Sequence, residues 1–160
     1  MHDSRVGGFG IAGVCLLLLV KYISLNSVPG HLLIVALILM PVISRWAMVY
    51  ALFAYPYARP SGLGKAFKQE ANWRKFILAT VVTLVVAMGL TGWLNNAYSY
   101  LAGLAIMGGT WIIIMMVAAY LKRKFAGLTG DTYGAINEVA EVCVLILVCL
   151  LAHNQWLGLA

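Results

Sequence analysis

Apolar residues run along this chain in five long blocks, and polar residues gather almost entirely between them. The blocks predict helices over roughly Phe9–Leu25, His31–Tyr55, Phe76–Leu94, Tyr98–Leu121 and Thr132–Ala152. Each approaches or exceeds the ~20 residues that carry an α-helix across the hydrocarbon core of a bilayer. No period-two alternation accompanies them, which argues against an outer-membrane barrel. The connections hold turn formers: Asn26–Gly30 with Pro29, a basic stretch from Pro56 to Lys75 broken by Pro60, Gly62 and Gly64, and Asn95–Asn96. Pro41 interrupts the second block, and Gly103 with the Gly108–Gly109 pair in the fourth predicts close helix approach. The expected fold is all-α: a polytopic integral membrane helical bundle of five spans, forming a single transmembrane domain over residues 1–160.

Composition agrees with that pattern. Of 160 residues, 63% are hydrophobic and 10% charged, which excludes an ordinary soluble domain. Phe9–Val20 reads as a retained helix rather than a signal peptide, because no cleavage site follows it and Asp3 and Arg5 precede it. With five spans, Arg5, Arg59, Lys65, Lys68, Arg74, Lys75, Lys122, Arg123 and Lys124 fall on one side. Lys21 falls on the other, where it is expected to snorkel toward the interface. The positive-inside rule then assigns the basic side and the N-terminus to the cytoplasm of a multi-pass inner-membrane protein. The net charge of +6 reads as orientation, with no nucleic-acid partner implied. Cys15, Cys143 and Cys149 lie in apolar runs without metal-ligand spacing and read as packing residues. Trp46, Trp73, Trp93 and Trp156 are expected near helix ends, and Trp111 within its helix.

Candidate chemistry concentrates in one stretch, GLTGDTYGAINEVAE. Three of the five acidic residues of the chain are there: Asp131, Glu138 and Glu141. If Asp131 caps the last helix, Gly134, Glu138 and Glu141 follow it down one face, with Asn137 at the edge. A carboxylate at membrane depth costs ~2.5–3.5 kcal/mol or more, so these groups should face protein, water or a cation. They suit either a divalent cation such as Mg²⁺ or general-base chemistry, or they pair structurally with Arg45, Arg59 or Lys124. Arg45, at membrane depth in the second block, is either a structural partner of Glu138 or Glu141 or a ligand for an anionic group such as phosphate. The N-terminal polar residues, Arg45, the Arg59–Gly64 turn and Asp131–Glu141 all tend toward one face, where they can line a single cytoplasm-facing cavity.

These residues carry a resemblance. MHDSRVGGFG before the first helix, ISRWAMV with Arg45, Tyr57-Ala58-Arg59 with Gly62-Leu63-Gly64, and the GLTGD-x-x-GA-x-NE element occur in that order. The chain resembles the cobalamin synthases, the adenosylcobinamide-GDP ribazoletransferases of late cobalamin biosynthesis. The resemblance covers all of this chain and the C-terminal two thirds of a typical member. It implies a longer architecture whose N-terminal part carries an acidic Mg²⁺-binding element absent from these residues. By resemblance, the reaction joins adenosylcobinamide-GDP to α-ribazole or its 5′-phosphate and releases GMP. The resemblance further implies roles: Arg45 and Arg59 on phosphates, Asp131 on the metal or the acceptor hydroxyl, and Glu138 as a catalytic group. Asn137, Thr129 and Gly130 would bind substrate, with Ser4 and Arg5, beside Asp3, at the rim. Glu141 would pair with Arg45. The implied partners are the two substrates, the lipid bilayer, and an N-terminal fragment or a second copy of the chain.

Two other readings compete. One is an integral-membrane, Mg²⁺-dependent phosphotransferase that uses CDP-alcohols. The other is a non-enzymatic assembly or transport subunit in which the charges are structural.

Overall fold

A computed structural model describes residues 8–58, 63–94 and 99–153; of Phe9 and Leu63 it describes the backbone. Among these, five helices are long and apolar enough to cross a membrane. They are α1 (Gly8–Ser27), α2 (Leu33–Ala54), α4 (Trp73–Gly92), α5 (Ser99–Phe125) and α6 (Gly130–His153). The short α3 (Leu63–Glu70) lies in the connection between α2 and α4, and a 3-10 turn, Gly30–Leu32, leads into α2. The five spans expected from the apolar blocks are present, with ends shifted by a few residues.

The bundle is built around α2 and α6. Helix α6 packs against α2, α5 and α1; α4 packs against α5 and α2. The reason is visible in the residues. Along α6, Ile136, Ala140, Val144 and Val148 repeat at helical spacing and are fully or almost fully buried. Along α2, Ala36, Leu39, Ile43, Ala47 and Ala51 form the facing stripe, and its alanines let the helices come close. Helix α1 touches α6 but leaves Ile11, Val14, Leu16, Leu18 and Leu19 exposed, as a lipid-facing helix would. Helix α2 continues through Pro41, whose missing N–H leaves a carbonyl one turn earlier without its usual donor. Ser44 Oγ donates to the Pro41 carbonyl at 3.1 Å, tying down the turn that follows.

Glycine does what the sequence suggested at two of three positions in α5. A methyl group on Gly103 would lie 2.6 Å from the Ala87 carbonyl oxygen, so α4 and α5 touch there backbone to backbone. One on Gly109 would lie 3.1 Å from Leu147 of α6. Gly108 faces open space instead, on a cavity of about 390 Å³ between α2, α4 and α5 lined by Trp46, Tyr50, Phe76 and Trp111 among others. Trp46 differs from expectation. It is buried in mid-helix, and its Nε1–H donates to Thr80 Oγ1 at 2.9 Å, which satisfies the indole inside the bundle.

The basic connection also differs. Its glycines and proline read as loop, yet Leu63–Glu70 forms α3. The tertiary contacts explain it. The Tyr57 ring lies directly on Gly64, where a Cβ would approach it to 2.5 Å. Lys68 Nζ reaches back to the Leu52 and Phe53 carbonyls at 2.6 and 2.9 Å, satisfying the C-terminal end of α2. Burial there pushes the Lys68 ammonium below its ordinary value.

Candidate functional site

Helix α6 begins one residue before Asp131. Thr129 is the cap: its Oγ1 accepts from the Thr132 N–H at 3.4 Å, and Thr132 Oγ1 accepts from the Thr129 N–H at 2.7 Å. This is a reciprocal capping box with threonine at both ends. Asp131 therefore does not cap the helix. It sits in the first turn, exposed, where a carboxylate is favoured by the partial positive charge of the helix start. Gly130 is the first helical residue, and the Thr129 side chain is committed to the cap.

Just before the cap the chain makes an unusual turn. Ala126 has φ 58° and Gly127 φ 151°. The turn brings Leu128 beside Tyr57 as a parallel bridge. The Ala58 N–H donates to the Leu128 carbonyl at 2.8 Å, and the Leu128 N–H donates to the Pro56 carbonyl at 2.9 Å. The rings of Tyr57 and Tyr133 stack at 6.4 Å. The segment that leads into Arg59 is thus pinned to the start of α6. Arg59 itself, with Ser4, Arg5 and Asp3, lies outside the described residues.

About two turns below Asp131, ~9–15 Å along the helix axis, is a connected polar cluster. Lys21 Nζ of α1 donates to Glu138 Oε2 at 2.7 Å and Glu141 Oε2 at 2.5 Å. Glu141 Oε1 accepts from Asn137 Nδ2 at 3.0 Å and from Ser44 Oγ at 3.4 Å. Asn137 Oδ1 accepts from Arg45 Nη1 at 2.6 Å. Two cations and two carboxylates make the cluster neutral. Neutrality is what membrane depth demands, since an unpaired charge there costs several kcal/mol.

This corrects two expectations. Lys21 does not snorkel away. It turns inward because α1 and α6 run side by side in the same direction, Lys21 meeting Glu138 and Glu141 and the Ser24 carbonyl meeting Cys149 Sγ further on. Arg45 does not pair with Glu141. The Asn137 amide stands between them, and among the described residues no carboxylate lies within ion-pair distance of Arg45. Asn137 and Glu141 are buried, whereas Arg45 is exposed and the Glu138 side chain is 44% exposed, so the cluster opens on its Arg45–Glu138 side.

Sequence reasoning missed Lys21. The available signal was its isolation: it is the one cation inside the first apolar block, while the last block holds two carboxylates for the single Arg45.

No group of three His, Cys, Asp or Glu residues that would hold a metal by itself occurs among the described residues. Glu138 and Glu141 fit a metal poorly, because one ammonium already holds both. Asp131, apart from them, fits as a single oxygen ligand for Mg²⁺, which commonly takes one or two carboxylates and completes its shell with water and substrate phosphates.

Comparison with known proteins follows the same residues. The chain is 36% identical over 151 residues to the adenosylcobinamide-GDP ribazoletransferase of Desulforamulus reducens, covering 94% of this chain and 57% of the relative. It is 35% identical over 158 residues to the protein of that name from Roseiflexus sp., covering 99% and 56%. To the one from Herpetosiphon aurantiacus it is 36% identical over 155 residues, covering 97% and 59%. The chain thus spans well under two thirds of the length of these curated relatives. No solved structure matches it. The family described as cobalamin-5-phosphate synthase matches residues 1–149, and with that match and these relatives the chain belongs to the cobalamin synthase family.

Proposed function

We propose that this chain forms the phosphate-binding and acceptor-positioning part of an adenosylcobinamide-GDP ribazoletransferase. The reaction is a phosphodiester exchange. The 3′-hydroxyl of α-ribazole, or of its 5′-phosphate, attacks the phosphorus linked to cobinamide. A new P–O bond forms as the bond to the bridging oxygen of the pyrophosphate breaks, and GMP leaves with that electron pair. The hydroxyl proton passes to a base. Such a step needs anion neutralisation, in-line placement of the alcohol and a proton acceptor.

The observation that carries the reading is the Tyr57–Leu128 bridge. It ties the segment leading into Arg59 to the helix start that bears Asp131, with Arg45 and Glu138 opening from the bundle two turns further down α6. In this reading Arg45 and Arg59 bind the phosphates, and Asp131 accepts the hydroxyl proton or lends one oxygen to Mg²⁺. The metal, when bound, neutralises charge on the phosphates. Asn137 acts from beneath, through Arg45. Glu138 stands at the edge, where it can accept a hydrogen bond from a substrate hydroxyl. Thr129 and Gly130 shape the helix start, with Ser4 and Arg5 as rim contacts.

The same reading puts the active face in the cytoplasm. Lys65, Arg74, Lys75, Lys122, Arg123 and Lys124 all lie at the bundle end where α6 begins, while the other end bears His31 and His153.

Complementation tests the proposal. The chain is expressed in a cobalamin-synthase-deficient bacterium fed cobinamide and the lower-ligand base, with and without the N-terminal segment of a relative. Growth that requires that segment and is lost on Asp131→Asn, at equal membrane abundance, is the expected result. Growth indifferent to Asp131→Asn would remove Asp131 from the chemistry. No growth in any combination, with the protein present in the membrane, would overturn the reading.

A further inference from the structure

The polar cluster contains an arrangement that the reaction alone does not require. A carboxylate paired directly with a guanidinium uses the same fork of donors that would bind a phosphate, and so competes for it. Here Glu141 of α6 and Arg45 of α2 belong to one polar cluster, yet the two are separated by one amide. Asn137 Nδ2 donates to Glu141 Oε1 and Asn137 Oδ1 accepts from Arg45 Nη1. The amide orientation is fixed by chemistry. Only Nδ2 can donate to the carboxylate, so Oδ1 must face the guanidinium. That bond uses one of the five guanidinium N–H donors.

What fixes Glu141 is Lys21. Its ammonium holds Glu141 Oε2 and, with the same nitrogen, Glu138 Oε2. Ser44, next to Arg45 in α2, shares its one hydroxyl proton between the Pro41 carbonyl at 3.1 Å and the other Glu141 oxygen at 3.4 Å. The chain of contacts therefore runs from α1 through α6 to α2: Lys21, Glu141, Asn137, Arg45. Without the ammonium, two carboxylates one turn apart would stand uncompensated at membrane depth, and Arg45 is the cation already linked to Glu141 through Asn137. The guanidinium would be drawn into an ion pair.

We propose that Lys21 is a positioning residue: by engaging Glu138 and Glu141 it keeps both carboxylates off Arg45, and through the Glu141–Asn137 contact it presents the Arg45 guanidinium to a pyrophosphate-type anion. This rests on the reading of Arg45 as a phosphate ligand. Lys21 itself touches no substrate.

The test uses the chain in lipid nanodiscs and inorganic pyrophosphate as the probe, with affinity read by equilibrium dialysis and folding read separately by thermal unfolding. Wild type binds, and Arg45→Met loses at least about tenfold in affinity. Lys21→Met also loses about tenfold, because Arg45 turns to the freed carboxylates. The triple variant Lys21→Met, Glu138→Gln, Glu141→Gln returns pyrophosphate affinity to within about threefold of wild type, since nothing then competes for the guanidinium. Asn137→Asp, nearly isosteric, loses about tenfold because it places a carboxylate directly on Arg45. A purely structural Lys21 would change the unfolding temperature and leave the affinity of Lys21→Met at the wild-type value.

Should Lys21→Met fail to fold, the triple variant and Asn137→Asp decide the matter. Arg45-dependent binding that is indifferent to both Lys21→Met and Asn137→Asp overturns the inference while leaving the transferase reading intact. Absence of pyrophosphate binding, or binding indifferent to Arg45→Met, overturns the inference together with the assignment of Arg45. Because pyrophosphate carries neither guanine nor corrin, a positive result stands even if complementation fails.

Discussion

Replacing Gly127 by alanine should loosen the joint between the Tyr57 segment and α6. Gly127 has φ 151°, a region that L side chains rarely enter. An added Cβ would lie 2.9 Å from Ala58 N and 3.0 Å from Ala58 Cα and Cβ. Two of these are backbone atoms, so no rotamer change relieves the contact. The local strain is of order 1–3 kcal/mol. Against it stand the two bridge hydrogen bonds, from Ala58 N–H to Leu128 O and from Leu128 N–H to Pro56 O, each worth about 1 kcal/mol net. Strain and bonds are comparable, so the chain relieves the strain by opening the bridge. The bridge should lose about 1–3 kcal/mol of stability against local opening. At 1.4 kcal/mol per factor of ten, exchange of the Ala58 and Leu128 amides should quicken by about 5- to 140-fold. Hydrogen–deuterium exchange with mass spectrometry, on the protein in nanodiscs, reads this directly. Gly134→Ala is the control. Gly134 is exposed inside α6, with nothing within 4 Å of an added Cβ. It should stabilise by about 0.5–1 kcal/mol and leave the bridge amides unchanged. Protection at Ala58 and Leu128 that survives Gly127→Ala would refute the argument from strain.

Two further outcomes are expected. Gly103→Ala must push α4 from α5, because the added Cβ meets the Ala87 carbonyl oxygen at 2.6 Å and Thr91 Oγ1 at 2.7 Å; the cost is about 1–3 kcal/mol. Gly108→Ala, five residues on and facing open space, should be tolerated, and equal unfolding temperatures for the two variants would contradict the close approach. At the surface, the Lys75 ammonium, 2.6 Å from Glu70, holds that carboxyl below its ordinary value of 4.5. A depressed carboxyl contributes stability that is present above its unfolded value and lost as pH falls through the folded one. Both groups are exposed, so Glu70→Gln should leave the unfolding midpoint at neutral pH unchanged; a clear drop there would mean the pair is worth more than its exposure allows.

What the sequence determined by itself is the part governed by local rules. The spans are set by the length of apolar runs against bilayer thickness, so five helices were legible, as was the break at each turn. The GLTGD-x-x-GA-x-NE element and the order of the other motifs were enough for the family. The close approach at Gly103 was readable from residue size. What only tertiary structure decided is which helix turns toward which. A helix that is apolar on every side has almost no preferred face, so its sequence does not say how it is rotated in the bundle. Lys21 could point to either interface or inward, and two carboxylates on a neighbouring parallel helix made the choice. Arg45 could meet a carboxylate or an amide, and the register of α2 against α6 gave it Asn137. Helix α3 formed in a stretch of apparent breakers because Lys68 and Tyr57 found partners on α2 and at Gly64. Charge pairing between helices depends on rotation and register, and both are set by packing among segments far apart in the chain.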